Sequence, residues 1–284
     1  MKLWIIALVP IPEILITATP ETPAPDDNAY IVISIIIPYH KKKNFFKETI
    51  ESINKQSYKN FEVIIIYDDI DKLELEFVKK ILKKFKFKKK LLVNKKIIGA
   101  GLSRNKGIKV SKGEYIAFCD ADDLWHKKKS ETQLKIMKEK KLNFSHTNYD
   151  LINDRNKNIG HMNVKKDLSY DDLLKSCDIA SSSVIIDRSI LKRSLKFGNT
   201  KTKEDFSLWL KISKNNTIYG INKKLLNWRN VENSLSSNII QKFVDAYIVF
   251  KNAENRNFII TIYYVIRLSV YYLIKKIKQK ISWF

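Results

Sequence analysis

The stretch Gly113-Glu-Tyr-Ile-Ala-Phe-Cys-Asp-Ala-Asp-Asp123 places an apolar run directly before three carboxylates. Residues 114–119 have the length of a strand, and their apolar side chains are nearly continuous. A continuous apolar run is typical of a strand that is buried on both faces, as in parallel sheets. We therefore predict a buried strand that is followed by Asp120, Asp122 and Asp123.

Comparable apolar runs precede this stretch at residues 31–37, 61–67 and 91–94, and the segments between them repeat apolar residues at helical spacing. Alternating strands and helices predict an α/β fold, with a mostly parallel central sheet flanked by helices. Ligands of such sheets bind at the carboxyl ends of the strands, so the residues that follow the strands are candidate site residues. They are Pro38, Tyr39, Asp68, Asp69, Asp120, Asp122 and Asp123.

The chain beyond residue 125 has a less regular pattern. It predicts helices over residues 131–140, 169–176 and 204–213, and strands over residues 143–149, 182–187 and 223–228. From residue 238 onward we expect a C-terminal helical extension.

The composition is that of a folded protein with a strong positive charge. Lysine and arginine number 53 against 30 aspartate and glutamate residues, which gives a formal net charge of +23. Such a charge attracts nucleic acid, anionic lipid or phosphorylated glycans, although lysines that merely solvate the surface would give the same count. No basic region with interleaved aromatic residues stands out as a nucleic-acid platform, so we expect no nucleic-acid partner.

The cysteine and histidine content excludes several kinds of site. Cys119 and Cys177 are the two cysteines and form no Cys-x-x-Cys pair, which excludes a disulfide scaffold and a cysteine-based zinc site. This usage suits a reducing compartment. The four histidines show no metal-ligand spacing.

Two pairs of carboxylates have a pattern that suits catalysis. Asp120 and Asp122, two residues apart after a buried strand, suit a hard divalent cation that keeps open positions for diphosphate oxygens. Such a cation stabilises the charge of a departing nucleotide diphosphate. Glu204 and Asp205 begin a predicted helix, where acidic residues are either catalytic or simply favoured by the helix dipole. The residues by themselves leave both interpretations open.

Six ordered blocks, over about residues 31–240, resemble the family 2 glycosyltransferases. The blocks are Ile35-Ile-Ile-Pro-Tyr39 with the run to Asp69, Gly101-Leu-Ser-Arg-Asn-Lys-Gly107, the opening stretch with Leu124-Trp125, Ser181-Ser-Ser-Val-Ile-Ile-Asp187, Lys203-Glu-Asp-Phe-Ser-Leu-Trp-Leu-Lys211 and Trp228-Arg229 with Ser234-Leu-Ser236. The resemblance implies a GT-A fold, a nucleoside-diphosphate sugar as donor, inversion at the anomeric carbon, and Mg²⁺ or Mn²⁺ as cofactor.

The same resemblance implies roles for individual residues. Asp205 would be the general base, with Glu204 beside it. Asp122 would bind the metal directly, and Asp120 would contact the ribose, the metal or a metal-bound water. The donor-binding residues would be Pro38, Tyr39, Asp68, Asp69, Arg104, Asn105, Asp120 and Arg229.

Some of these positions have another interpretation. Arg104 has the alternative role of bracing its own loop, and Asp123 is expected to cap the helix that follows it. The chain also departs from the family pattern in two places. Asp68-Asp69-Ile70-Asp71 stands where members usually have Asp-Asp-Gly-Ser, so the turn must differ, and Val231 stands where many members have a histidine.

The expected organisation has four parts. Residues 1–30 form an N-terminal extension or linker, with a secretory signal as the alternative, although prolines interrupt its apolar run early. Residues 31–125 form the nucleotide-sugar-binding half, and residues 126–237 form the acceptor-binding and catalytic half. Residues 238–284 form C-terminal helices, for which we expect membrane association.

Residues 258–274 carry that membrane expectation. They are apolar and aromatic apart from a few positions, and lysines follow them. A helix of this length is about 25 Å long, short of the ~30 Å bilayer core, and Arg267 lies near its middle. These features predict a helix that lies in the interface of an anionic membrane surface. A core helix that packs on the catalytic domain is the alternative.

We interpret the protein as a cytoplasmic enzyme, peripheral at the inner face of the cell membrane. Its expected acceptor is a glycan or glycolipid in the biosynthesis of a bacterial surface glycan such as lipopolysaccharide or capsule. This acceptor class rests on analogy and on the basic, apolar C-terminal segment. A nucleotidyltransferase of related fold is one alternative, which Glu204 and Asp205 disfavour, and a basic nucleic-acid-binding module is another.

Overall fold

The computed structural model describes residues 32–191, 195–231 and 239–281. The expectations for residues 1–30, and for Ser234 and Ser236, lie outside these described residues.

Ten strands and eight α-helices build the described part of the chain. The strands are β1 (Ile33–Tyr39), β2 (Phe61–Tyr67), β3 (Lys88–Val93), β4 (Tyr115–Phe118), β5 (Leu124–Trp125), β6 (Phe144–Ile152), β7 (Asn158–Met162), β8 (Asp167–Leu168), β9 (Ile185–Asp187) and β10 (Ile218–Arg229). The helices are α1 (Lys43–Asn54), α2 (Lys72–Leu82), α3 (Ala100–Val110), α4 (Lys129–Glu139), α5 (Tyr170–Leu173), α6 (Glu204–Ser213), α7 (Ile239–Ile248) and α8 (Phe258–Ile281). Short 3-10 turns occupy Ser181–Ser183 and Arg188–Ile190, and a π-helical turn occupies Val249–Ala253.

All ten strands belong to one sheet, whose main order is β3-β2-β1-β4-β9-β6-β10-β5. β1 to β4 are parallel to one another, as the sequence predicted. β9 is antiparallel to both of its neighbours, whereas β6 and β10 are parallel. In the register, Tyr39 lies opposite Tyr67 and Ile36 lies opposite Phe118. The carboxyl ends of β2, β1 and β4 therefore meet at one edge.

The central strands are buried on both faces, which explains their continuous apolar sequences. Alternate residues of each strand serve different cores. Ile35, Ile37 and Ile65 belong to the core on one face, while Ile36 and Ile64 belong to the core on the other. The sheet is thereby fixed from both sides, and its edge is a rigid support for polar loops.

The sheet continues across the boundary at residues 125 and 126 that separates the two expected halves. β5 lies directly before this boundary, yet it pairs with β10, which lies far beyond it. The division into a donor half and an acceptor half therefore remains a prediction about function.

The C-terminal helices pack on the body of the protein along part of their surface. Thr261, Val265 and Leu268 of α8 are buried, and the last two belong to the core that also contains Phe250. This face matches the alternative of a core helix. Many other apolar side chains of α8 are exposed. Within the described residues, α7 and α8 included, every helix falls short of the length and apolar character needed to cross a membrane.

Candidate active site

The carboxyl edge of the parallel strands brings the predicted acidic residues together. Asp68 and Asp69 follow β2, and the loop from Asp120 to Asp123 follows β4. α6, which begins at Glu204, contributes a third acidic segment from the second half of the chain. α3 carries a cation that joins two of these segments, the loop after β4 and the start of α6.

Arg104 of α3 is that cation. Its Nη2 lies 2.5 Å from Asp120 Oδ1 and its Nη1 lies 2.7 Å from Glu204 Oε1. The side chain is only 3% exposed, and its guanidinium lies 5.3 Å from the ring centre of Phe197. Burial alone would lower the pKa of Arg104, but the charges of the carboxylates around it raise the pKa instead, so the group stays charged. One guanidinium thus links the loop after β4 to the start of α6.

The acidic pair at the start of α6 has two different environments. Burial, and then the charge of Asp205, raise the pKa of Glu204 to about 7, against the opposing effect of Arg104. Asp205 instead accepts hydrogen bonds from Ser181 Oγ (2.8 Å) and from the backbone N–H of Phe206 (2.7 Å). Lys203, directly before the pair, has a left-handed backbone with φ of 62°. The pair therefore sits on a sharp turn, with each carboxylate held by a different group.

Asp122 lies beside a lysine that the sequence interpretation overlooked. Lys42 Nζ donates to Asp122 Oδ2 at 2.5 Å. Asp122 is only 8% exposed, and burial raises its pKa; Lys42 opposes this effect, and the neighbouring Asp120 adds to it. Carboxylates crowded in this way favour a cation close to them.

Asp123 does not cap a helix, so that prediction was wrong. α4 begins only at Lys129. Asp123 is buried, and its Oδ1 accepts from the backbone N–H of Arg229 at 2.8 Å. The chain forms β5 directly after this residue, so the carboxyl turns inward to the end of β10. Burial and the charges of Asp122 and Asp120 hold the pKa of Asp123 well above its usual range.

The acidic pair after β2 is bonded mostly to backbone N–H groups. The Asp68 carboxylate accepts from the N–H groups of Ile98 (2.9 Å) and Gly99 (2.7 Å) and from Asn94 Nδ2 (2.7 Å). Asp69 Oδ1 accepts from the N–H of Ile70 at 2.7 Å, and its Oδ2 lies 3.1 Å from His40 Nδ1. Asp68 therefore shapes the loop before α3, and its contact with a donor stays a prediction.

The remaining predicted donor residues are held by protein contacts. Tyr39 is buried, stacks on Tyr67 with ring centres 5.4 Å apart, and donates its hydroxyl to Glu74. Pro38 is half-buried beside it. Asn105 exchanges two hydrogen bonds with the backbone of Phe197.

Arg229 is bonded to protein groups on several sides. Its guanidinium donates to the backbone oxygens of Asp122 (2.8 Å) and Asn153 (3.1 Å) and to the carboxylate of Glu48 (3.0 Å). It also lies over the ring of Phe45. In this arrangement Arg229 braces the loop that carries Asp122, and its contact with a donor stays a prediction.

The sequence interpretation missed two site residues, Lys42 and Ser181. Lys42 is one of three consecutive lysines, and Ser181 belongs to a block that was matched only as a whole. Their signal was positional, because Lys42 follows β1 closely and Ser181 precedes β9. A search of the polar residues near every strand end would have included both.

The acidic loop after β4 offers oxygen ligands of the kind that a hard divalent cation binds. Among the described residues, no three His, Cys, Asp or Glu side chains are grouped so as to bind a metal on their own. Asp122 and Asp120 nevertheless offer carboxylate oxygens, and burial together with the charge of Asp120 raises the pKa of Asp122. Mg²⁺ is commonly bound by one or two carboxylates together with phosphate oxygens of the substrate. The donor set therefore fits a cation that arrives with a diphosphate.

Comparison with known proteins identifies the family of this chain. The model of glycosyl transferase family 2 matches residues 34–195, and the chain belongs to that family. An uncharacterized glycosyltransferase of Rickettsia felis is 38% identical over 197 residues, which are 68% of this chain and 32% of that protein. The Escherichia coli enzyme named UDP-Glc:alpha-D-GlcNAc-diphosphoundecaprenol beta-1,3-glucosyltransferase WfgD is 35% identical over 210 residues, 73% of this chain and 80% of the enzyme.

Solved structures show the same fold. S. aureus TarS in complex with UDP-GlcNAc has a TM-score of 0.63 at 18% identity, covering 84% of this chain and 71% of that one. Mannosyltransferase PcManGT from Pyrobaculum calidifontis, in complex with GDP-Man and Mn²⁺, has a TM-score of 0.57 at 13% identity, covering 84% and 69%. The GT-A fold and the family that the sequence blocks implied are thus confirmed.

Proposed function

We propose that this protein transfers a sugar from a nucleoside-diphosphate sugar to an acceptor hydroxyl with inversion at the anomeric carbon. The observation that carries the proposal is the link through Arg104, which holds Asp120 beside the Glu204–Asp205 pair. Inverting transfer needs a base on one side of the sugar and charge stabilisation of the leaving diphosphate on the other. Arg104 holds the two candidate groups for these tasks close together.

Asp205 is the proposed general base. It accepts the proton of the acceptor hydroxyl while that oxygen attacks the anomeric carbon and the bond to the nucleoside diphosphate breaks. Hydrogen bonds from Ser181 and from the N–H of Phe206 fix its orientation and leave lone pairs on both oxygens. Glu204 is less suited to this step because the ion pair with Arg104 occupies its carboxylate. Its proposed task is to position Arg104 and its neighbour Asp205.

Asp122, together with Asp120, is the proposed site of Mg²⁺ or Mn²⁺. A cation bound there neutralises charge on the departing diphosphate. Lys42, which contacts Asp122 at 2.5 Å, adds a second positive charge at the same place. The donor nucleoside is expected near Pro38, Tyr39 and Asp69, at the ends of β1 and β2.

The proposed acceptor is a lipid-linked glycan of the bacterial surface, with no nucleic acid involved. Support comes from the similarity to WfgD, whose name places its acceptor on diphosphoundecaprenol. An acceptor of this kind puts the enzyme at the cytoplasmic face of the cell membrane. The choice among lipopolysaccharide, capsule and other surface glycans rests on this analogy.

The test separates donor binding from chemistry at the proposed base. Asp205→Asn keeps the size of the side chain but cannot take the hydroxyl proton. It should lower single-turnover transfer by the ~10²–10⁴-fold that is typical of losing a general base. Donor affinity, measured by calorimetry on the same protein, should stay nearly unchanged. Ser181→Ala is the matched control, because it removes one orienting bond and should cost far less.

Two results would contradict the proposal. If Asp205→Asn weakened donor binding as much as it slowed transfer, the base would lie elsewhere. If the wild-type protein released diphosphate by joining a nucleoside triphosphate to a sugar phosphate, and transferred no sugar from a panel of nucleotide sugars, it would be a nucleotidyltransferase.

A further inference from the structure

The helices α7 and α8 expose an unusual amount of apolar surface. On α7, Ile240, Val244 and Ile248 recur every four residues and are exposed, Ile240 by 77%. On α8, Ile259 and Ile266 are exposed by 79% and 57%. We refer to the exposed apolar residues of these two helices as the helical face. Its members are Ile240, Phe243, Val244, Ile248, Phe258, Ile259, Ile260, Ile262, Tyr263, Ile266, Val270, Tyr271, Tyr272, Leu273 and Ile274.

The helices that carry the helical face are anchored in the core of the protein. Ala246 of α7 and Phe250, which follows α7, belong to the same core as Val265 and Leu268 of α8. Phe250 also stacks on Tyr264 with ring centres 5.4 Å apart. The packed side of the two helices therefore belongs to the body of the protein, while the apolar side has no cover among the described residues. This many exposed apolar side chains on two adjacent helices mark an interaction surface.

The charges of this segment identify the kind of partner. Residues 239–281 contain eight lysine and arginine residues but only two acidic residues, Asp245 and Glu254. Both acidic side chains are buried. Asp245 accepts from the N–H and Oγ1 of Thr202, at 2.7 Å each, and Glu254 pairs with Lys214 at 2.7 Å. The segment is therefore basic in sequence and apolar on its exposed side, and both of its acidic side chains are bonded inside the protein.

We propose that the helical face docks on the surface of an anionic lipid bilayer. Apolar and tyrosine side chains that enter the headgroup region, together with basic residues that meet anionic headgroups, are the features of helices that lie in a membrane interface. This inference rests on the proposed function, because a lipid-linked acceptor is presented at that surface. It extends the contact from α8 alone to α7.

Docking through these helices would also position the catalytic pair. Thr202, which Asp245 of α7 holds by two hydrogen bonds, lies two residues before Glu204. Phe206, next to Asp205, packs edge-to-face against Phe250 with ring centres 5.8 Å apart. The helical face and the start of α6 are therefore parts of one packed unit. A membrane that binds the helical face would therefore fix the distance between the start of α6 and the lipid surface.

The experiment measures co-sedimentation with vesicles in the absence of donor and acceptor. Wild-type protein should bind vesicles of phosphatidylcholine and phosphatidylglycerol, should bind pure phosphatidylcholine more weakly, and should be released by added salt. Val244→Glu and Ile266→Glu should each weaken binding to the anionic vesicles about tenfold or more. Leu73→Glu on α2 is the matched control, because Leu73 is 82% exposed and the change in charge is the same. It should bind like the wild type.

Other outcomes would overturn the proposal. Equal binding of the wild type and both variants would show that the helical face does not meet lipid. A wild-type dimer that becomes monomeric on Ile266→Glu, with vesicle binding unchanged, would show that a second copy covers the face. Ile259→Glu, at a more exposed position, repeats the test should Ile266→Glu fail to fold.

Failure of docking and failure of the proposed function give different results. Ile266→Glu should hydrolyse a nucleotide sugar in solution at the wild-type rate, since the exposed residue lies outside the acidic site. Asp122→Asn should lose hydrolysis and keep vesicle binding. A wild-type protein that binds vesicles but acts on no nucleotide sugar would leave docking intact and contradict the transferase proposal.

Discussion

Asp68 after β2 and Asp122 after β4 lie at the same edge of one parallel sheet, yet their surroundings are opposite. Two backbone N–H groups and Asn94 point at the Asp68 carboxylate. Asp122 is crowded by Asp120, and its nearest cation is the partly exposed Lys42. Hydrogen bonds of the fold hold the Asp68 carboxylate, whereas burial in the fold raises the pKa of Asp122.

The difference separates a carboxylate that is bonded into the fold, Asp68, from one that we propose as a cation ligand, Asp122. Backbone N–H groups cannot move away without unfolding the loop before α3, so Asp68 is committed to its present bonds. A lysine side chain can move, and a divalent cation can take its place beside Asp122. Excess negative charge held in a rigid loop is a preorganised site for a cation.

The largest expected effect is the loss of activity when the cation site is damaged. Asp122→Asn should lower transfer by roughly 10³-fold, the scale of losing one preorganised electrostatic contact at a leaving group. Excess chelator should abolish transfer by the wild type, and Mg²⁺ or Mn²⁺ should restore it. Full activity in excess chelator would show that no cation at Asp122 is needed, and the proposed functional difference between the two acidic loops would be wrong.

The second expected effect is on stability, to which Asp68 should contribute more than Asp122. Asp68→Asn turns a hydrogen-bond acceptor that faces N–H groups into a donor, which should lower the free energy of unfolding by about 2–3 kcal/mol. Asp122→Asn relieves crowding and loses one partly exposed ion pair, so it should change the free energy by less than about 1 kcal/mol. Urea unfolding of both variants checks this. A larger loss of unfolding free energy in Asp122→Asn than in Asp68→Asn would contradict the comparison.

The smallest effect is a dependence on pH that comes from Glu204. Because its pKa is raised to about 7, Glu204 is mostly protonated at pH 6, where its ion pair with Arg104 is lost, and mostly ionised at pH 8. Transfer should therefore rise roughly tenfold from pH 6 to pH 8. Glu204→Gln should show a lower rate with a flat profile over this range. An unchanged inflection in that variant would assign the titration to another group.

The sequence predicted much of the fold because the patterns concerned are local. The apolar runs of β1 and β2 and the limits of α6 were read correctly, since burial on both faces or on one face leaves a periodic trace over neighbouring residues. β5, β7 and β8 were missed. β5 and β8 have only two residues, which is too short for any periodicity, and β7 has five residues with few apolar side chains.

The candidate site was only partly predictable. Sequence blocks named Arg104, Asp120 and Glu204, but their joint arrangement links residues up to 100 positions apart. The predicted cap at Asp123 was wrong because the following chain forms a strand that pairs with β10, a partner about a hundred residues away. The resemblance named Arg229 as a donor-binding residue, but its contacts with Glu48 and with the loop after β4 were visible only in the structure.

By itself the sequence determined the class of fold, the family and the acidic residues available for chemistry, because these depend on residue types and on spacing along the chain. The tertiary structure decided which of those residues lie beside a group of opposite charge. Arg104 came to lie between Asp120 and Glu204, Lys42 beside Asp122, and the acidic groups of the C-terminal segment inward. The reason is physical: a charge responds to the neighbours and the solvent around it, and folding alone brings those neighbours together.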